Sequence, residues 1–312
     1  MPVPYRPLAG AYPWGLSQWS IVTEAPHPAP GRVSAFWLVL GAIASVQVGA
    51  AIAKDLFGQI PPTSMVWLRL VTSTVIFLVV VRPRLRGRSR TDWMVVAGFG
   101  VSLLLMNWAI YQSFARIPLG IAVTIEFLGP LTVAVIGSRR TSDLVWVGLA
   151  ALGVALLGLS PGSLTLPGVL FALLAALGWA CYILLSVQTG RRWAGLSGLA
   201  LASLVGAVVL AGPAVVEGGA SLLDPRILAL GVAVGLLSSV VPYSLELVAL
   251  RRIPPRVFGI LMSLEPAAAA LAAMILLREF LSGWQWLAMA CVVAASVGAS
   301  RAARPPAEPL AV

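Results

Sequence analysis

Histidine and cysteine are nearly missing from this 312-residue chain, which holds one His and two Cys. His27 lies in a proline-rich N-terminal stretch, and Cys181 and Cys291 each stand alone in an apolar run. Without a CxxC spacing there is no expected metal site and no disulfide framework. A membrane-embedded enzyme would need a nucleophile with its base, or a set of metal ligands, and neither is on offer. No GxxxxGK[ST] phosphate loop occurs, which argues against an ATP-driven pump. No catalytic residue, metal or cofactor is therefore expected. Charge is scarce too: 10% of residues are Asp, Glu, Lys or Arg, against about a quarter in soluble domains.

Apolar residues fill the space, at 59% of the chain and a mean hydropathy of +0.95. A soluble fold could not keep so much apolar surface from water, whereas a bilayer solvates it. A net charge of +10 could suggest nucleic acid as a partner. The arginines argue against that, because they sit in short clusters between apolar runs, as in cytoplasmic loops. Runs long enough to cross a bilayer fall at 34–54, 63–82, 93–115, 118–138, 143–159, 166–187, 195–216, 226–249, 255–277 and 283–300. Residues 1–32 hold many prolines, no apolar run and no signal-peptide core, so they read as a disordered cytoplasmic tail. Residues 302–312 read as a second short tail.

Basic residues fix the orientation. With the N-terminus inside, the cytoplasmic segments carry sixteen Lys or Arg and the outer ones four, Lys54, Arg116, Arg226 and Arg278. Both tails are then cytoplasmic.

The two halves of the chain echo each other. Arg116-Ile117-Pro118 opens a span that reaches Gly129-Pro130, and Arg252-Ile253-Pro254 opens one that reaches Glu265-Pro266, at the same offset of 136 residues. Each is followed by a polar break, a Trp and a small-residue span. The expected fold is an all-α membrane protein of ten transmembrane helices in two inverted five-helix repeats, 33–160 and 165–301. An odd number of spans per half sets the halves antiparallel, a plan of secondary transporters that hold substrate near the midplane.

Charges inside spans are costly and point to function. Arg69, Glu126, Glu246 and Glu265 are the four. Pro130 and Pro266 follow Glu126 and Glu265, and each frees a backbone carbonyl about one turn earlier. Such a polar spot survives in a membrane only where it faces a cavity or protein. A carboxylate there can hold a substrate ammonium or a proton. Arg69 can take a substrate carboxylate through its fork, pair with Glu126 or Glu265, or snorkel outward. Glu246, close to Arg251 and Arg252, is expected to pair with them. Gln47, Asn107, Tyr111, Tyr182 and Tyr243 are candidate cavity-lining groups, with ordinary interhelical hydrogen bonding as the alternative. Trp93, Trp146 and Trp193 suit an interfacial belt.

The stretch Pro118-Leu-Gly-Ile-Ala-Val-Thr-Ile-Glu126-Phe-Leu-Gly-Pro130 resembles the fourth span of bacterial threonine/homoserine exporters, members of the EamA-type drug/metabolite transporter superfamily. Pro242-Tyr243-Ser244-Leu245-Glu246 and Phe258-Gly259 through Glu265-Pro266 are similar to the same family, as is Ser45 to Phe57. The resemblance covers about residues 34–302. It implies a ten-helix inverted repeat with a central cavity. It also implies export of small amino acids and analogues across the bacterial inner membrane, by exchange for protons. The alternative is the same scaffold exporting a drug, nucleoside or purine. On this reading Gln47, Arg69, Asn107, Tyr111, Glu126, Tyr182, Tyr243 and Glu265 meet substrate. Glu126 and Glu265 couple protons, and Glu246, Pro130 and Pro266 support the site. The expected partners are the substrate, protons and the bilayer, with a homodimer left open.

Overall fold

The computed structural model describes residues 34–138, 144–157 and 164–302. The expectations for the two tails, His27, Arg139 and Arg140 lie outside these residues. Among the described residues every regular element is helical.

The helices are α1 (Ala35–Asp55), α2 (Pro62–Val81), α3 (Arg90–Phe114), α4 (Leu119–Glu126), α5 (Leu128–Ser138), α6 (Leu144–Leu157), α7 (Leu166–Arg192), α8 (Ser197–Gly218), α9 (Pro225–Gly235), α10 (Val241–Leu250), α11 (Pro255–Met262), α12 (Glu265–Ala272) and α13 (Gly283–Ala302). Helices α4 and α5 together make one span. So do α9 and α10, and so do α11 and α12. Among the described residues nine segments are long and apolar enough to cross a membrane. The shorter apolar helix α6 lies where the fifth of the ten expected spans falls. The protein is thus an all-α, multi-pass membrane protein.

Sequence explains where the helices begin. Pro62 and Pro225 occupy first-turn positions, where a missing N–H costs nothing. Ser89 and Asp92 form a capping box that starts α3. Thr165 caps α7 by accepting from the Gly168 N–H.

The 136-residue echo has a backbone counterpart. Pro118 caps α4 at φ −57°, ψ 140°, and Pro254 caps α11 at φ −58°, ψ 143°. Both short helices end in a residue with ψ near zero, Phe127 (−12°) and Ser263 (−10°). The turns before them match as well. Arg116 and Ile117 donate to the Ser113 carbonyl, and Arg252 and Ile253 donate to that of Ala249. Helix packing follows the same exchange. α2 packs on α8, α6 on α13 and α4 on α12, while α1 on α10 mirrors α7 on α3. Each of these pairs maps onto itself or onto another when every span is replaced by the one five later.

Close approach of α3 and α7 depends on a glycine. A Cβ on Gly178 would lie 2.7 Å from the Met106 backbone nitrogen. Gly129 lets α5 meet α7 in the same way, since a Cβ there would lie 2.3 Å from the Ala176 carbonyl oxygen. Small residues at such crossings are the usual means of packing helices in lipid.

Candidate substrate cavity

Three prolines shape the site. Helical bonding runs from each N–H to the carbonyl four residues earlier, and proline has no N–H to give. Pro130 therefore leaves the Glu126 carbonyl without its helical donor, and Pro266 does the same for Met262. These are the last residues of α4 and α11. Pro242 lies just after a π-helical turn over Leu236–Val240 and offers no N–H to the Ser238 carbonyl four residues earlier. Arg69 takes that carbonyl.

Arg69 is 6% exposed, in the middle of α2. Its Nη2 donates to the Ser238 carbonyl at 2.6 Å and its Nε to Ser239 Oγ at 2.9 Å. Its Nη1 reaches Tyr111 Oη at 3.4 Å, and the guanidinium lies 5.6 Å from the Tyr111 ring centre. All these partners are neutral. The alternative of a fixed ion pair between Arg69 and Glu126 or Glu265 is not formed among the described residues. A buried cation held by dipoles alone still attracts an anion.

A cavity of about 490 Å³ opens beside this guanidinium. Sites for small molecules run to roughly 300–1,000 Å³. All eight residues singled out as candidate substrate contacts line it. Gln47 comes from α1, Arg69 from α2, Asn107 and Tyr111 from α3, and Glu126 from α4. Tyr182 comes from α7, Tyr243 from α10 and Glu265 from α12. Pro130 is also on the wall, whereas Pro266 is buried outside it.

Neither Glu126 nor Glu265 has a hydrogen-bond partner among the described residues, and they are 8% and 7% exposed. Glu126 ends α4 and Glu265 begins α12. They stand on opposite sides of their breaks, because Glu265 corresponds to Gly129 under the offset, not to Glu126. The Gln47 side-chain oxygen is buried and also without a partner. Asn107 donates to the Leu103 carbonyl at 2.7 Å. Tyr182 stacks on Phe99 with ring centres 4.9 Å apart.

Glu246 belongs to the cavity wall. It lines the cavity and makes no salt bridge with Arg251 among the described residues. Helix α10 turns its 243 and 246 positions, one turn apart, to the same wall.

Sequence reasoning missed Phe127 and Trp179, which meet edge to face with ring centres 5.4 Å apart and line the wall. An aromatic within an apolar run carries no signal of its own. It also missed Ser238 and Ser239, although a proline four residues after Ser238 marks that carbonyl as available.

The lining of the cavity reaches one end of the helix bundle. Leu250, Phe258 and Ser300 line it where α10 ends, α11 begins and α13 ends. At the other end Ile60, Ile117 and Leu119 are buried, and a polar clasp ties three elements. Lys54 Nζ meets Glu279 Oε1 at 2.5 Å and donates to the Ile117 carbonyl at 2.8 Å. The Leu119 N–H donates to Glu279 Oε2 at 2.9 Å.

Comparison with known proteins bears on this site. The pattern of the EamA-like transporter family matches residues 166–301. The threonine/homoserine exporter RhtA of Salmonella typhimurium (strain LT2) is 40% identical over 280 residues, covering 88% of this chain and 95% of that one. RhtA of Escherichia coli (strain K12) is 40% identical over 270 residues, 86% of this chain and 91% of that one. A solved crystal structure aligns at a TM-score of 0.60 and 19% identity over 86% of this chain and 97% of its own; at that identity the likeness is one of fold. Identity sustained over almost the whole length of these exporters, together with the family pattern, places the chain: it belongs to the EamA-like transporter family.

Proposed function

We propose that this protein exports small amino acids of the threonine/homoserine type across the bacterial inner membrane, by exchange for protons. The observation that carries the proposal is the cavity's charge set: one guanidinium held only by neutral groups, with carboxylates that lack hydrogen-bond partners on the same wall. A zwitterion supplies the complement of each. Its carboxylate would displace the weak Tyr111 contact and lie against the Arg69 fork. Its ammonium would sit with Glu126 and Glu265, which hold a proton when substrate is absent. Kinship with the RhtA exporters supports the same substrate class.

The exchange symmetry of the packing pairs supports a reading of alternating access. The two halves, 33–160 and 165–301, are read as inverted repeats that rock about the cavity. The excess of Arg at one set of span ends supports a cytoplasmic position for both tails and for the end of the cavity near Leu250 and Phe258. Substrate would then enter from the cytoplasm while the Lys54–Glu279 clasp seals the outside.

Overproduction in a strain sensitive to homoserine tests the substrate class. The expected result is higher tolerance to homoserine and threonine and lower internal labelled threonine. Tolerance gained only to drugs or nucleosides would move the substrate to the rival class on the same scaffold.

A further inference from the structure

One surface outside the cavity is built rather than merely basic. The α2–α3 connection carries Arg82, Arg84, Arg86, Arg88 and Arg90, and α7 ends in Arg191 and Arg192. Because α3 packs along α7, these charges gather at neighbouring ends of two spans. Two of them act as struts. Arg88 lies 4.4 Å from the Trp193 ring centre and donates to the carbonyls of Arg84 and Arg192. Arg192 pairs with Asp92 at 2.9 Å, and Asp92 also accepts from the Ser89 N–H within the capping box. Gly87 makes the tight turn between them at φ +76°. Trp193, itself buried, packs edge to face on the exposed Trp93.

The scaffold uses up Arg88, Arg192 and Asp92, the acid that Arg192 pairs with. Arg84, Arg86, Arg90 and Arg191 are exposed. Helix ends put these four guanidiniums at the depth where the bilayer surface begins, next to the exposed Trp93, an indole of the kind that sits among headgroups. Guanidinium forks match phosphate oxygens bidentately. We propose that this surface is a binding site for the phosphate of anionic phospholipid headgroups, with Arg84, Arg86, Arg90 and Arg191 as its contacts. The Arg88–Trp193 and Arg192–Asp92 struts hold the loop in place beforehand, so that little ordering is lost on binding.

The test uses the purified full chain in neutral detergent, probed separately with phosphatidylglycerol, phosphatidylcholine and inorganic phosphate. Lipid binding is read by native mass spectrometry and melting temperature. The expected result is preferential binding of phosphatidylglycerol, weakened by salt and reduced roughly fivefold for each Arg→Gln change among the four. The melting temperature without added lipid should stay unchanged, since the struts remain. Arg226→Gln, at the far end of a different span, should leave lipid binding intact. Equal binding of the two lipids would overturn the proposal. So would full phosphatidylglycerol binding by the fourfold variant. Stabilisation by inorganic phosphate equal to that by phosphatidylglycerol would instead assign a soluble anion and overturn the lipid reading.

Discussion

Arg69 carries the largest share of the account at the scale of single residues. Its three polar partners come from α3 and from the turn that Pro242 opens. Lysine keeps the charge but loses the fork. We expect Arg69→Lys to cut threonine efflux roughly ten- to a hundredfold, the cost of about 1.5–3 kcal/mol for a hydrogen bond to a charged group. The check is initial-rate efflux normalised to folded protein in the membrane. Glu126→Gln and Glu265→Gln keep shape and lose the exchangeable proton. Each is expected to abolish stimulation by a pH gradient. Wild-type gradient response in both would remove the carboxylates from the coupling step.

How much of this was legible beforehand depends on what a residue's neighbours are. Arg69, Glu126 and Glu265 declare themselves because a charge in an apolar run has no bland solution other than a partner or a cavity. The place of Glu246 on the cavity wall was not legible, since the helix face that decides its direction is not visible in one dimension. Ser239 was silent for a related reason: it meets Arg69 across 170 residues, and nothing local marks it.

At the level of elements, the breaks in the spans do the shaping. Pro130→Ala would restore an N–H to the Glu126 carbonyl and let α4 run into α5. Alanine is better than proline in a helix by about 3 kcal/mol. Pro130→Ala is therefore expected to raise the melting temperature or leave it unchanged while lowering efflux; a destabilised but fully active variant would contradict this view of the break. The helix crossings behave oppositely. Gly178→Leu should lower the melting temperature sharply, because the new side chain would run into the Met106 backbone.

The clasp is an element-scale feature that no local pattern announced, since Glu279 reaches the Leu119 N–H across 160 residues. The 136-residue offset does not carry this clasp over whole. Leu119 corresponds to Pro255 under the 136-residue offset, and Pro255 has no N–H to donate. Lys54→Met should weaken the latch and raise the reactivity of a cysteine introduced at Leu119 toward an impermeant reagent. Unchanged reactivity would show that apolar packing alone seals that end.

Across the whole molecule, the pattern of spans was the most readable part. Apolar runs separated by Arg, Pro and Gly name themselves when the solvent is lipid, and nine segments have the length to cross it among the described residues. The echo between Arg116-Ile117-Pro118 and Arg252-Ile253-Pro254 was also readable, and the matched caps of α4 and α11 give it a backbone form. The cavity's volume and the end of the bundle its lining reaches were not readable, because they arise from which faces of distant helices meet.

Efflux from proteoliposomes preloaded with labelled threonine tests the central claim most directly, with the external pH held below or equal to the internal pH. The account predicts efflux that speeds up when the outside is acidic, that unlabelled homoserine competes away, and that loses its gradient response in Glu126→Gln. Efflux indifferent to the gradient and to homoserine, from intact vesicles holding folded protein, would contradict it.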